Sequence, residues 1–151
     1  MNLFGVLEVS GSALKAERIR AEVVAANMAN AETTRTADGT PYRRQHVVFS
    51  SAAMEPINFA GELMSQAAAQ SEPKIGGVQV SAVVQDPAST LRRYDPGHPD
   101  ADKDGYVNYP DINPLTEMVD MMGATRAYGL NASAVQAEKG MLSASLDILK
   151  S

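Results

Sequence analysis

The sequence contains no cysteine and no tryptophan, and aromatic residues make up only 5% of its 151 residues. The absence of cysteine excludes disulfides, thiolate metal sites and a cysteine nucleophile. Alanine is abundant and fills much of the apolar interior instead. Small apolar side chains let helices approach each other closely, so the composition favours helix-on-helix packing.

Positive charge is also scarce, because 13 Lys and Arg stand against 18 Asp and Glu and give a net charge of −5. Such a chain is not typical of proteins that bind nucleic acid or anionic membranes through charge alone. No run reaches the ~18 apolar residues of a membrane span. The first residues lack a basic segment, and Glu8, Lys15 and Glu17 interrupt any apolar run, so no Sec-type signal peptide is predicted.

Proline is missing from both ends of the chain, and all eight prolines lie between Pro41 and Pro114. Since proline breaks helix interiors, two long terminal helices around an irregular or β-rich centre are predicted. We expect an N-terminal helix at 1–30, a β-rich outer insert at 31–112 and a C-terminal helix at 113–151. The fold class is then α+β, with the terminal helices packed as a coiled-coil-like hairpin.

Apolar residues recur every three or four positions in both terminal segments, as expected for amphipathic helices. On the first helix, the residues expected to carry assembly are Leu7, Leu14, Ile19, Val23 and Met28. On the last helix they are Leu130, Val135, Met141, Leu142, Ile148 and Leu149. The dipeptide Asn113–Pro114 predicts the start of the last helix, as an N-cap followed by proline at the first helical position.

The helices are too long for the rest of the chain to cover. At 1.5 Å per residue they measure ~40 and ~54 Å, whereas an insert of this size spans only ~25 Å. Apolar stripes left uncovered by the chain itself indicate a partner. A cluster of methionines, Met118, Met121, Met122 and Met141, is interpreted as packing between helices.

The centre carries turn signals at Asp38–Gly39, Gly76–Gly77, Pro96–Gly97 and Asp104–Gly105. Between them, residues 46–49, 77–84 and 106–109 are predicted to form short strands. Residues 61–72 are predicted to form either a short helix or a mobile loop. The arginine pairs Arg43–Arg44 and Arg92–Arg93 are interpreted as solvated charges or as partners in ion pairs between subunits.

Three stretches of the sequence, 26–45, 94–113 and 117–131, resemble flagellar basal-body rod proteins at matching spacing. The residues that carry this likeness in the first two stretches are Asn27, Asn30, Thr33, Thr34, Arg35, Pro41, Tyr42, Arg43, Arg44, Pro96, Gly97, His98, Pro99, Gly105, Tyr106 and Pro110. Only residues 50–75 match nothing specific. Rod proteins often carry Asn at the position of Asp111.

The resemblance implies a non-enzymatic structural subunit of the proximal rod, without a cofactor. Such subunits self-assemble through their terminal helices into a hollow shaft that crosses the periplasm, transmits torque and encloses an export channel. The implied partners are further copies, other rod proteins, and neighbouring components of the inner-membrane ring, export gate and distal rod. The implied route is the flagellar type III export apparatus, without a cleaved signal.

Residues 100–111 also resemble an EF-hand loop, which leaves a small periplasmic Ca²⁺-binding module as an alternative function. Asp100, Asp102, Asp104 and Gly105 stand at loop positions 1, 3, 5 and 6. Position 12 is Asp111 rather than the usual Glu, and the surrounding prolines forbid flanking helices. We therefore prefer a β-turn with a positive φ at the glycine, and expect no metal site.

Two further motifs receive structural interpretations. His98 lies in a turn without a candidate nucleophile nearby, so no catalytic residue is predicted. Asn27, Asn30, Thr33 and Thr34 are expected to end the first helix by bonding to local backbone.

Overall fold

The computed structural model describes residues 3–51, 76–87 and 90–150. The elements in chain order are α1 (Leu3–Ala29), β1 (Gln45–Ser51), β2 (Val78–Gln85), β3 (Thr90–Tyr94), β4 (Tyr106–Pro110) and α2 (Pro114–Lys150). The predicted α+β class, with two long terminal helices and a small β-containing centre, is confirmed. The predicted loop or helix at 61–72 lies outside the described residues.

The two helices pack against each other in antiparallel orientation. Asn27, near the end of α1, is hydrogen bonded to Glu117 in the first turn of α2, 90 positions later in the sequence. Arg20 reaches Asp120 across the same contact. The helical pair is therefore made from the two ends of the chain.

The start of α2 follows the predicted N-cap. The Asn113 side-chain oxygen accepts a hydrogen bond from the Leu115 N–H at 3.0 Å, and its carbonyl accepts one from the Glu117 N–H at 3.1 Å. Pro114 occupies the first helical position, where no N–H donor is needed.

The end of α1 matches the prediction only in part. Asn30 donates from its amide to the Ala26 carbonyl at 2.9 Å, and Thr33 donates from its hydroxyl to the Asn30 side chain. Asn30 therefore bonds to local backbone as expected, whereas the Thr33 hydroxyl bonds to a neighbouring side chain. Asn27 and Thr34 bond instead to distant parts of the chain, so the expectation was wrong for them.

The strands form two separate antiparallel pairs. β1 pairs with β2 from Gln45↔Gln85 to Ser51↔Val78, and β3 pairs with β4 from Thr90↔Pro110 to Tyr94↔Tyr106. The predicted strands at 46–49 and 106–109 lie within β1 and β4, and the one predicted at 77–84 is confirmed as β2, which begins and ends one residue later.

Strand β3 was not predicted, because its arginines look like isolated charges in the sequence. In the structure, the Arg92 guanidinium lies 4.7 Å from the Tyr106 ring centre, and that of Arg93 lies 4.1 Å from the Tyr109 ring centre. Each arginine of β3 thus packs over an aromatic ring of β4, and a cation held over an aromatic face is attracted to it. Arg92 also pairs with Asp102 at 2.7 Å within the chain.

The β1–β2 pair packs on α1 at a serine within the helix. The Ser12 hydroxyl donates to the Val9 carbonyl at 2.7 Å and accepts the Val78 N–H at 3.1 Å. Gly77 precedes that strand residue and lies directly against Ser12. The absence of a side chain at Gly77 therefore permits the close approach of strand to helix.

The buried apolar core is small: Ala16, Val24, Val107, Tyr109, Ile112 and Ala124. Two of the six are alanines on the facing helices, in line with the close packing expected from the composition. Neither helix is long and apolar enough to cross a membrane, considering the described residues only.

We predict that Gly77→Ala destabilises the protein by about 1–3 kcal/mol, because its new Cβ overlaps Ser12 Oγ and displaces a hydrogen-bond acceptor of the Val78 N–H. Urea unfolding measures the change. The control is Gly11→Ala on α1, where an added Cβ meets nothing within 4 Å; it should stabilise the helix by up to ~1 kcal/mol. Equal effects of the two variants would contradict the close contact at Gly77.

Candidate functional site

A buried polar junction joins α1, β1 and α2. At its centre is Asn27, whose side chain is 1% exposed. Its amide nitrogen donates to the Gln45 carbonyl at 2.7 Å and to Glu117 Oε2 at 3.0 Å. Its oxygen accepts from the Gln45 N–H at 2.9 Å and from the Tyr42 hydroxyl at 3.2 Å. All four hydrogen-bonding positions of the amide are used, so this side chain links both helices to the first strand.

Glu117 is the charged centre of the junction and is also 1% exposed. Its Oε2 accepts from Asn27, and its Oε1 accepts from Arg44 Nε at 2.7 Å. The residue lies in the first turn of α2, where the helix dipole favours a negative charge. A buried carboxylate needs such partners because an isolated buried charge is very costly.

Arg44 extends the junction to a second carboxylate. Its Nη2 lies 3.5 Å from Asp120 Oδ2, and Arg20 from α1 lies 3.4 Å from the other oxygen of Asp120. The hydrogen bond to Glu117 raises the pKa of the Arg44 guanidinium above its usual value. The prediction of a solvated or inter-subunit charge is therefore wrong for Arg44, whose ion pairs lie within the chain.

Tyr42 closes one side of the junction. Burial, followed by the nearby charge of Glu117, raises the pKa of its phenol above the ordinary value. The phenol thus stays protonated and keeps its hydrogen for Asn27. The polar junction consists of Arg20, Asn27, Tyr42, Arg44, Gln45, Glu117 and Asp120.

A second contact joins the loop after α1 to the turn between β3 and β4. The Thr34 hydroxyl donates to Asp100 Oδ2 at 2.9 Å, and Arg35 lies 3.5 Å from Asp100 Oδ1. Pro41 and Pro99 line the same shallow cleft. Residues of the two separate motif stretches thus meet here in space.

The carboxylate of Asp102 stabilises the turn between β3 and β4. Its Oδ1 accepts from the N–H groups of Asp104 and Tyr106, both at 2.9 Å, and its Oδ2 accepts from Arg92 at 2.7 Å. These hydrogen bonds lower the Asp102 pKa, and the bond from the Tyr106 N–H has the largest effect. Gly105 has a φ of 79°, which confirms the predicted turn.

Other residues of the second motif stretch lie in this turn or next to it. His98 accepts the Asp100 N–H on Nδ1 at 3.1 Å, and its ring packs edge-on against Tyr109. Pro96 and Gly97 lie in the turn, and Pro110 is buried at the end of β4. Among the described residues, no group of three or more His, Cys, Asp or Glu side chains is arranged to hold a metal ion.

The structure divides the predicted helix-face residues into two groups. Leu7, Leu14, Ile19, Val23 and Met28 on α1 are half-buried, as are Val135 and Leu142 on α2. Leu130, Met141 and Ile148 are exposed, and the side chain of Leu149 lies outside the described set. Arg43 is exposed as well.

The most exposed apolar residues at the start of α2 form one face. Leu115, Met118, Val119 and Met122 are 70, 52, 62 and 68% exposed. They stand at positions i, i+3, i+4 and i+7, so they lie side by side. We call these four residues the base patch. Within the subunit, Met118, Met122 and Met141 therefore do not provide the expected packing between helices, because the helical pair leaves them exposed, whereas Met121 is half-buried.

Sequence reasoning missed most of the polar junction. In the sequence, Glu117 stands out only as an acidic residue near a helix start, and Gln45 does not stand out at all. Their partners lie 90 and 18 positions away, at Asn27, and no local pattern reports a contact of that kind. The one available signal was the occurrence of Asn27, Tyr42 and Arg44 within the motif stretches.

Comparison with known proteins gives consistent matches along the chain. Residues 7–35 match the family model "Flagella basal body rod protein", and residues 103–148 match "Flagellar basal body rod FlgEFG protein C-terminal". The flagellar basal-body rod protein FlgC of Bacillus subtilis is 41% identical, covering 99% of this chain and 100% of its own. FlgC of Borreliella burgdorferi is 37% identical over 99% of both chains. FlgC of Salmonella typhimurium is 35% identical over 94% of both.

We predict that Asn27→Ala lowers the free energy of unfolding by on the order of 3 kcal/mol, because it strips partners from a buried carboxylate and from the Gln45 backbone. Asn30→Ala is the matched control on the same helix, since the Asn30 side chain bonds only locally; its loss should stay near ~1 kcal/mol. Urea unfolding distinguishes the two. Equal losses would mean that the helix end, and not the junction, is what Asn27 stabilises.

We also predict that Asp102→Asn lowers the urea midpoint at pH 7 and has a smaller effect in acid. The Asp102 pKa is lowered in the folded protein, so its carboxylate stabilises the fold above the unfolded value of about 3.9. That contribution disappears as pH falls through the folded pKa. Urea midpoints measured at pH 7, 4 and 3 test this. Asp104→Asn is the control, because the turn uses the backbone N–H of Asp104, which the substitution keeps. A difference that persists undiminished at pH 3 would contradict the assignment.

Proposed function

The chain belongs to the FlgC family of flagellar basal-body rod proteins and is a structural subunit of the rod, not an enzyme. We propose that it assembles mainly through the outward face of α2, the side of this helix that α1 leaves exposed. The observation that carries this proposal is the base patch, four large apolar side chains exposed side by side. Helices that dock into protein grooves use this i, i+3, i+4, i+7 arrangement.

The outward face continues beyond the base patch with very little charge. Its exposed positions from 115 to 144 are Leu115, Met118, Val119, Met122, Gly123, Arg126, Gly129, Leu130, Ser133, Gln136, Ala137, Gly140, Met141 and Ala144. Arg126 is the single charged residue among these fourteen. Depletion of charge is typical of the buried centres of protein interfaces. Of the predicted assembly residues, Leu130 and Met141 belong to this face.

Two glycines on the outward face support close contact with a neighbouring helix. A Cβ added at Gly129 or Gly140 would meet nothing within 4 Å. Glycine costs ~1 kcal/mol relative to alanine inside a helix, and packing within the chain gives no reason to accept that cost. A neighbour packed against these positions gives one, because the missing side chains let two helices approach closely.

The half-buried residues of the helical pair have a different part in this proposal. Leu7, Leu14, Ile19, Val23 and Met28 lie on α1, which is covered on one side by α2 and on another by the β1–β2 pair. Their remaining exposed area is smaller than that of the base patch. We assign them, with Val135 and Leu142, to holding the subunit together and to completing contacts with neighbours.

The polar junction suits a part that transmits torque. An insert tied to the helices only by a flexible linker would turn independently of them. Here Asn27 and Glu117 hold β1 to both helices through buried hydrogen bonds and an ion pair. A load applied to the insert therefore passes to the helical pair without a hinge at this point.

The proposed route to the rod is export as an unfolded chain through the flagellar type III apparatus, followed by assembly in the periplasmic space. The topology is compatible with that route. The junction needs residues 90 positions apart, so the helical pair forms only after both ends of the chain are available. Further copies and other rod proteins are the proposed neighbours.

We predict that Met122→Asp blocks incorporation into the rod while leaving the isolated subunit folded. The residue is exposed, so stability should change by less than ~0.5 kcal/mol, whereas burying the new charge in an interface is costly. Motility of a complemented strain and yield of the subunit in isolated basal bodies measure the effect. Leu91→Asp on β3, at 54% exposure, is the control for a charge placed on another exposed leucine. Normal rods with Met122→Asp would refute the proposed face.

A further inference from the structure

The chain contains no cysteine, so methionine is its only sulfur-containing residue. The structure describes the side chains of five methionines, and these differ in accessibility. Met118, Met122 and Met141 are exposed on α2, whereas Met28 and Met121 are half-buried. Because the oxidation of a thioether requires access by the oxidant, the three exposed methionines are the most open to a peroxide among these five.

Two of the exposed methionines are neighbours in the base patch. Met118 and Met122 stand four positions apart on α2, so their thioethers lie on the same side of the helix. They make up half of the base patch, and its other members, Leu115 and Val119, carry no sulfur. Both methionines are exposed, so neither holds α2 against α1. Chemistry at these two positions therefore changes the surface of the subunit rather than its interior.

Hydrogen peroxide converts a methionine thioether into a sulfoxide. A sulfur lone pair forms a bond to one peroxide oxygen while the O–O bond breaks. The departing hydroxide takes the proton of the transferred hydroxyl and leaves as water. The sulfur loses two electrons and the peroxide gains them, so the reaction needs no other reactant. The product is a polar side chain in place of an apolar one.

A sulfoxide is unsuited to the contact that the base patch makes in the proposed function. Its oxygen is a hydrogen-bond acceptor, and burying such an atom in an apolar contact without a donor is unfavourable. Leu115 and Val119, which lie beside the two methionines, have no side-chain donor to offer. Oxidation of both methionines thus removes half of the apolar side chains from the patch.

We propose that Met118 and Met122 are sites of oxidation by peroxide, and that a subunit carrying a sulfoxide at either position is excluded from the rod. The inference rests on the proposed function, because the exclusion operates through the base patch. A neighbour that covers the patch also shields both thioethers, so the sensitivity belongs to the subunit before assembly. Methionine sulfoxide is reducible by dedicated reductases, which makes the exclusion reversible.

The first experiment treats the purified full chain with hydrogen peroxide and follows the sulfoxide at each methionine by tandem mass spectrometry. We expect Met118 and Met122 to be oxidised roughly fivefold faster than Met121, their half-buried neighbour on the same helix. Oxidation of Met121 at the same rate as the other two would overturn their assignment as the reactive sites.

The second experiment gives a brief pulse of hydrogen peroxide to cells that are building rods. The yield of the subunit in isolated basal bodies is compared with that of the same strain without peroxide. Peroxide should lower the yield severalfold for the unchanged chain and much less for Met118→Leu/Met122→Leu, because leucine has a similar apolar volume and no sulfur. The matched control is Met28→Leu/Met121→Leu, which replaces two half-buried methionines and should be as sensitive as the unchanged chain.

Equal losses in the three strains would overturn the inference. The same conclusion would follow if sulfoxide at Met118 or Met122 were as frequent in assembled subunits as in unassembled ones. Either result leaves the outward face as the assembly face, provided that Met122→Asp still blocks incorporation. Normal incorporation of Met122→Asp would instead refute the proposed function itself, so the two failures are distinguishable.

Discussion

The buried carboxylate of Glu117 requires partners, and that requirement organises much of this structure. A charge that is 1% exposed is tolerated only with donors around it. Asn27 from the first helix and Arg44, just before the first strand, supply those donors. The helices and the insert are therefore held to each other at one point by hydrogen bonds and an ion pair rather than by a large apolar core.

The small core explains the rest of the surface. Few apolar residues are buried among those described, whereas α2 alone exposes large apolar side chains from Leu115 to Ile148. Among the described residues, a 27-residue partner helix and two narrow β pairs leave part of the 37-residue α2 uncovered. The uncovered face is the consequence of that geometry, and it is the face that we propose neighbouring subunits cover.

Specificity and burial come from different residues in this protein. The polar junction and the turn held by Asp102 use directional hydrogen bonds, which determine how the parts of one subunit are oriented. The outward face of α2 carries only one charged residue, Arg126, and it offers apolar area and close approach at its glycines. Rigid subunits joined by several such apolar contacts can form a stiff assembly although each single contact is weak.

Local signals in the sequence were sufficient to define most of the elements and the family. Proline placement, the Asn113 cap and the apolar period located both helices to within a few residues, because these signals act over one or two turns. Tertiary contacts were needed to show which face of α2 meets α1, that β3 exists, and that Asn27, Arg44 and Glu117 share one site. Those outcomes depend on contacts between residues up to 90 positions apart, and such contacts have no local signature: Arg92 and Arg93 look like free charges until the tyrosines of β4 lie beneath them.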